Sequence, residues 1–145
     1  MKQQKKIYDP VRHLWLKALP EEIVRQKLLL EMIDQGFPKS LIIIESSLEA
    51  FIPKGTKAQD RRVDILALYQ ENENLLPLLV IECKASSLCN KSALRQLIGY
   101  NSSIGAPFMG LAGSESFTLY WQEKSGLKTT YYLPTYQELT RACKH

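Results

Sequence analysis

The spacing of apolar residues along the chain predicts a set of short strands around one strongly buried segment. Leu78-Leu79-Val80-Ile81 is an uninterrupted apolar run, which is typical of a strand covered on both faces. We place it at the centre of a predicted strand from Leu75 to Lys84. Two earlier strands are predicted at Leu41–Glu45 and Arg62–Tyr69, and the polar stretch Gln70–Asn74 predicts the turn that joins the second strand to the third.

Helical patterns stand on either side of these strands. Residues Pro20–Gln35 form the clearest predicted helix, because a proline suits the first turn and Gly36 provides a stop. Glu21 and Glu22 lie at the positive end of its dipole. A second helix is predicted over roughly Ser92–Ser102.

The rest of the chain predicts strands at Phe108–Ala112, Phe117–Gln122 and Thr129–Leu133, followed by a short helix that opens at Pro134. The order helix, three strands, helix, strand indicates the α/β class, with a mixed central sheet flanked by helices and extra C-terminal strands. A length of 145 residues is enough for a single core. We therefore expect a single domain over residues 1–145.

Composition narrows the class of protein without fixing its function. Apolar residues make up 45% and charged residues 23% of the chain, which is normal for a globular domain. No run approaches the roughly 20 apolar residues that cross a bilayer, so we expect no membrane association and a cytoplasmic location. Cys83, Cys89 and Cys143 are odd in number and lack C-x-x-C spacing, which argues against a disulfide framework or a zinc knuckle.

The net charge of +4 permits contact with phosphates but does not require it. The predicted loop Phe51–Asp60 and its flanks are basic, and further cations stand near the second helix. An ordinary solvated surface is the alternative interpretation, and Lys2, Lys5 and Lys6 fit a frayed end better than a nucleic-acid arm. The candidate phosphate-binding residues are Lys54, Lys57, Arg61, Arg62, Lys91 and Arg95.

Candidate chemistry is concentrated at Asp64 and at Glu82-Cys83-Lys84. Side chains two apart on a strand share a face, so Glu82 and Lys84 should point the same way and Cys83 the other way. Charges at the end of a buried strand are costly unless something binds them. Carboxylates suit Mg²⁺ or Mn²⁺, and such a cation activates water and stabilises charge on a phosphate. The alternative is an ordinary Glu82–Lys84 ion pair.

Four segments in order resemble the PD-(D/E)xK nuclease superfamily, and more narrowly the N-terminal nuclease domain of type I restriction enzyme R subunits. They are residues 20–26, 62–65, 81–85 and 96–101. The resemblance implies a restriction-endonuclease-like αβββαβ core. It also implies metal ligation by Asp64, Glu82 and the backbone carbonyl of Cys83, with Lys84 catalytic. The chain has no G-x-x-x-x-G-K-[ST] loop or helicase-sized extension, so we expect no ATP-driven translocation here.

Two further residues are candidates for supporting the site. Glu22 shares a helix face with Leu29 and Ile33, which favours it over Glu21 as a carboxylate near the metal. The resemblance implies that Gln96, on the second helix, lines the site. The alternatives are that both acids only complement the helix dipole and that Gln96 is a surface amide.

The sequence therefore predicts a Mg²⁺-dependent deoxyribonuclease domain that acts on DNA, as a homodimer or within a larger restriction-type assembly. The main rival is a nuclease fold that binds nucleic acid or a partner subunit without cutting, and an accessory protein with a relic acid cluster is a third possibility. Exposed aromatic residues can stack on bases, although packing is their commoner role. The aromatic candidates are Trp15, Trp121, Tyr131 and Tyr132.

Overall fold

The computed structural model describes residues 5–44, 64–85 and 91–144. In that part of the chain a two-stranded and a six-stranded sheet are combined with three α-helices, which confirms the predicted α/β class. The elements are β1 (Lys6–Asp9), β2 (Leu14–Lys17), α1 (Pro20–Asp34), β3 (Ile42–Ile44), β4 (Ile65–Glu71), β5 (Asn74–Cys83), α2 (Lys91–Ile104), β6 (Phe108–Ala112), β7 (Phe117–Glu123), β8 (Gly126–Thr130) and α3 (Tyr136–Cys143).

The six-stranded sheet follows chain order, β3-β4-β5-β6-β7-β8. Every neighbouring pair is antiparallel except β5 and β6, which run parallel. A parallel pair needs a crossover, and α2 occupies that connection. Ile65 pairs with Ile81 in the β4–β5 ladder, so the next opposed positions are Asp64 and Glu82.

Apolar side chains on the two faces of this sheet form two cores. The first contains Leu29 and Met32 of α1 together with Ile65 and Ile81, all fully buried. The second packs Leu66 and Val80 against residues of α2. Because neighbouring strand residues alternate between faces, α1 and α2 lie on opposite sides of the strands that carry the candidate site.

Helix α1 confirms the prediction for Pro20–Gln35. It begins with a proline in its first turn and has Glu21 and Glu22 at its N-terminal end, where they interact favourably with the dipole. Gly36 follows the helix with φ of +90°, a left-handed conformation that glycine adopts without strain. The prediction was therefore correct at both ends because local signals decide them.

Strand β8, the N-terminal strands β1 and β2 and the start of α3 differ from the sequence prediction, since α3 begins at Tyr136 and not at Pro134. Strand β8 covers Gly126–Thr130 instead of Thr129–Leu133, because a tight turn pairs Glu123 with Gly126 and starts the return strand early. The N-terminal lysines were expected in a frayed end. Lys6 instead belongs to β1, and the carbonyl of Lys5 accepts a hydrogen bond from the Ala18 amide at 2.9 Å.

Several predictions concern residues outside the described ranges. They include the basic loop Phe51–Asp60 and four of the candidate phosphate-binding residues: Lys54, Lys57, Arg61 and Arg62. Within residues 5–44, 64–85 and 91–144, none of the helices has both the length and the apolar character needed to cross a bilayer.

Candidate metal and active site

Asp64 and Glu82 bring two carboxyl groups together where β4 begins and β5 ends. Asp64 immediately precedes β4, and both residues are less than a tenth exposed. Burial raises the pKa of Glu82 to about 8, and the adjacent charge of Asp64 adds to this shift, while Lys84 opposes it. Oε2 of Glu82 is buried and has no hydrogen-bond partner. The pair therefore forms an acidic site that favours the uptake of a proton or a cation.

Lys84 lies on the same side as Glu82. It follows the last residue of β5, and its backbone amide donates to the carbonyl of Ala112 at 2.8 Å, which extends the pairing of β5 with β6. Its Nζ is 3.7 Å from Oε1 of Glu82, and its side chain is about a third exposed. An ammonium group thus stands at the solvent side of the two acids.

Cys83 faces the opposite core, the one that contains α1, as the alternation of the strand predicts. Burial raises the pKa of its thiol, so the sulfur is a neutral packing group. Its backbone amide donates to Oδ2 of Asp64 at 2.7 Å and fixes that carboxylate against β5. Ligation of a metal by the Cys83 carbonyl stays a prediction.

Arg25, on the buried side of α1, joins Asp64 to Glu22. Its Nη2 donates to Oδ1 of Asp64 at 2.6 Å, and its Nη1 donates to the two oxygens of Glu22 at 3.1 and 3.0 Å. Burial disfavours the charged guanidinium, but the hydrogen bond and charge of Asp64, with the charge of Glu22, leave the pKa of Arg25 raised. Glu22 therefore reaches Asp64 through Arg25.

Glu21 has a different environment from Glu22. Its side chain is exposed at the start of α1. After burial and the charge of Asp64, the charge of Glu21 still contributes to the raised pKa of Glu82. Both acids of the first helical turn are thus close to the site, Glu22 through a partly buried ion pair with Arg25 and Glu21 from the solvent side.

A buried polar network continues from Glu22 to the N-terminal hairpin. Nε2 of Gln26 donates to Asp9 at 2.9 Å and to Glu22 at 3.4 Å, and Nη2 of Arg12 donates to Glu22 at 3.3 Å. Sequence reasoning did not identify Asp9, Arg12, Arg25 or Gln26 as parts of this network. The one available signal was that Arg25 and Gln26 are polar residues on the face of α1 that packs on the sheet.

Helix α2 carries the remaining predicted residues that the structure describes. It covers the sheet face to which Glu82 points, since Val80, two residues earlier on β5, packs in the core formed by α2. Gln96, Lys91 and Arg95 are exposed on this helix. A supporting role for Gln96 and phosphate contacts by Lys91 and Arg95 stay predictions.

A family model described as the type I restriction enzyme R protein N terminus matches residues 20–134. That is 115 of the 145 residues. The chain belongs to this family. The match begins at the first residue of α1 and contains the acid pair, Lys84 and Gln96, whereas the β1–β2 hairpin and α3 lie outside it. No curated protein and no solved structure matches the chain.

The acid pair fits a hard divalent cation. Among the residues that the structure describes, no group of three or more His, Cys, Asp or Glu side chains is arranged to hold a metal. Mg²⁺, however, commonly binds through one or two carboxylates and completes its shell with water and phosphate oxygens. The unpartnered Oε2 of Glu82 beside Asp64 is the oxygen that such an ion would satisfy.

A cavity of about 960 Å³ lies away from this site. It is lined by residues of the sheet and of α3, and Asp64, Glu82 and Lys84 do not border it. Its volume alone does not identify a ligand or a reaction. Representative lining residues are Tyr69, Phe108, Trp121, Glu138 and Cys143.

Proposed function

We propose that this domain is a metal-dependent deoxyribonuclease of the PD-(D/E)xK type. One observation carries the proposal: two buried carboxyl groups, Asp64 and Glu82, adjoin each other with the Lys84 ammonium 3.7 Å from Glu82. Membership of the type I restriction enzyme R protein N-terminal family supports a role in restriction and in DNA recognition.

Each residue has a defined task in this proposal. Asp64 and Glu82 would hold Mg²⁺, or Mn²⁺ in its place, and such a cation would supply stabilisation of the negative charge that builds up on the phosphate. Lys84 stands beside Glu82, where its ammonium would offset that charge or, as the neutral amine after losing its own proton to solvent, would accept a proton from the attacking water. Glu22 supports the site by pairing with Arg25, which holds Asp64. Gln96 is assigned a supporting position from α2.

The proposed substrate is DNA and the proposed context is a larger assembly. The family takes its description from the N terminus of a restriction R protein, so a partner subunit or a second copy of this chain would bring the site to its target. Exposed cations on the α2 side of the acid pair, Lys91 and Arg95, are available for phosphate contacts.

Plasmid cleavage in the presence of Mg²⁺ or Mn²⁺ tests this function. Asp64→Asn and Lys84→Ala should each reduce the cleavage rate by about 100-fold or more, the size expected for loss of a metal ligand or an acid-base group. Asp34→Asn, in the exposed last turn of α1, and Lys124→Ala, in the exposed β7–β8 turn, are matched controls. Wild-type cleavage by Asp64→Asn would exclude the proposal.

One observation favours a second candidate function, a nuclease-fold module that binds without cutting. Both oxygens of Asp64 already accept hydrogen bonds, from Arg25 at 2.6 Å and from the Cys83 amide at 2.7 Å. An Asp64 held in this way is neutralised without a metal. Calorimetric titration with Mn²⁺ separates the two functions, because the nuclease should bind the ion and lose it in Asp64→Asn. DNA binding with no metal uptake would favour the binding module.

A further inference from the structure

The β1–β2 hairpin presents an exposed face that combines aromatic and basic side chains. The antiparallel register pairs Lys6 with Lys17 and Tyr8 with Trp15. Since alternate residues of a strand share a face, these four side chains lie together, and we call them the aromatic–lysine face. All four are exposed, and Trp15 is exposed to 66%.

The opposite face of the hairpin is anchored to α1. Ile7 and Leu16 are half-buried there, and Asp9 is fully buried. The carboxylate of Asp9 accepts hydrogen bonds from the amides of Val11 and Arg12 and from Nε2 of Gln26, all at 2.8 to 2.9 Å. The aromatic–lysine face is therefore presented outward on a fixed support.

The charges on this face destabilise the hairpin when nothing is bound to it. Like charges directly opposite each other on paired strands are destabilising, and Lys6 faces Lys17 in this way. Tyr8 and Trp15 contact each other with ring centroids 5.2 Å apart and planes tilted by 60°, yet most of the indole stays in water. A bound polyanion would neutralise the two facing lysines, and flat rings on the same molecule would cover the exposed indole.

Single-stranded DNA has this combination of properties. Its phosphates attract lysines, and its unpaired bases stack on aromatic rings without regard to sequence. A protein partner fits less well, because lysine is depleted at the centres of protein interfaces. The same hairpin is linked to the acid pair through Arg12, Glu22 and Arg25, in that order.

We propose that the aromatic–lysine face binds an unpaired DNA strand, with Trp15 and Tyr8 stacking on bases and Lys6 and Lys17 contacting phosphates. The choice of DNA over RNA rests on the proposed function. The binding itself does not require cleavage, so the two proposals can fail separately.

Fluorescence anisotropy with a labelled oligothymidylate of about 20 nucleotides, in EDTA and with Asp64→Asn protein, measures this binding without cleavage. Trp15→Ala should weaken binding roughly tenfold or more, as for loss of a stacked base, and Trp15→Phe should restore most of it. Leu75→Ala, which removes an apolar side chain that is 48% exposed near the β4–β5 turn, is the control and should leave affinity unchanged.

The contribution of the two lysines is measured separately, from the salt dependence of binding. Replacing both Lys6 and Lys17 by Ala should reduce the slope of log affinity against log salt by about 1.4, since each phosphate contact on a single strand contributes about 0.7. Lys124→Ala with Lys128→Ala, in and after the β7–β8 turn, is the matched control.

In the Trp121→Phe background, the remaining Trp15 fluorescence should be quenched by the oligonucleotide.

Three results would overturn the proposal. The first is unchanged oligothymidylate affinity in Trp15→Ala. The second is that a blunt duplex binds as tightly as the oligothymidylate and that Trp15→Ala changes neither affinity. The third is a Trp15→Ala variant that binds the strand normally but loses self-association on a sizing column, which would assign this face to a protein contact. Normal strand binding with no nuclease activity would leave this proposal standing and reject only the proposed cleavage.

Discussion

Arg25 and Asp64, 39 residues apart in the chain, form a buried ion pair with a 2.6 Å hydrogen bond. It ties α1 to the beginning of β4. It also gives the candidate metal ligand a positive partner in the metal-free protein, so the charge of Asp64 is balanced before any cation binds. The first prediction follows from this balance.

Arg25→Ala should destabilise the protein strongly, because it leaves the buried Asp64 without its cation and the half-buried Glu22 with Arg12 alone. Breaking a buried ion pair costs about 3–5 kcal/mol in comparable cases. Added Mn²⁺ should recover part of the loss, since a divalent cation can replace the guanidinium charge. Thermal melting with EDTA and with Mn²⁺ measures both effects. Lys27→Ala, exposed on the same helix, is the control, and equal melting of Arg25→Ala and wild type would contradict the prediction.

Glu82 should make stability depend on pH. Its native pKa of about 8 exceeds its ordinary value of 4.5, because of burial and the neighbouring Asp64. The protonated form therefore favours the folded state, so the stabilisation is complete below about pH 4.5 and is lost as pH rises through about 8. Urea unfolding between about pH 5 and pH 9 should show this decline in wild type and a smaller decline in Glu82→Gln. The same slope in both proteins would show that another group is responsible.

Lys84 and Asp64 should differ in their effects on metal uptake. Asp64→Asn removes a proposed ligand and should abolish Mn²⁺ binding in calorimetry as well as cleavage. Lys84→Ala leaves both carboxylates in place and removes a positive charge near them, so it should bind the ion at least as well while cleavage is lost. Loss of Mn²⁺ binding in Lys84→Ala at unchanged melting temperature would contradict these separate roles.

Asp9→Ala should release the N-terminal hairpin from α1. Asp9 is fully buried and accepts from two backbone amides, from Arg12 and from Gln26. Leaving such donors without a partner costs roughly 1–3 kcal/mol each when they stay buried, so the hairpin should detach. Limited proteolysis in the hairpin should become faster. Asp34→Ala, exposed at the end of α1, is the control, and unchanged proteolysis in Asp9→Ala would argue against the anchor.

Local patterns predicted most of the sheet and α1, and alternation predicted that Glu82 and Lys84 share a face. The β8 error arose because Tyr131, Tyr132 and Leu133 have high strand propensity, whereas the turn before Gly126 determines where the strand begins. The β1–β2 hairpin was missed because its anchor includes a tertiary contact, the hydrogen bond from Gln26 of α1 to the buried Asp9.

The candidate site was predictable only in part. The acids and the lysine stand on neighbouring strands, so periodicity and order along the chain were enough to place them together. The ion pair of Arg25 with Asp64 could not be predicted from the sequence in this way, because it forms only when α1 packs on the sheet. Whether Glu22 contacts a metal directly or acts through Arg25 is likewise a matter of tertiary geometry.

The register shift between Ala67 and Leu68 divides the β4–β5 hairpin into two halves. The half with Ile65 opposite Ile81 leads to the acid pair, and the other half runs from the register shift to the Asn72–Glu73 turn. That turn is eight residues from Asp64, about 25 Å along an extended strand. A fluorophore or an affinity tag inserted at the tip would therefore leave the acid pair unchanged, which gives the protein a convenient attachment point for single-molecule work.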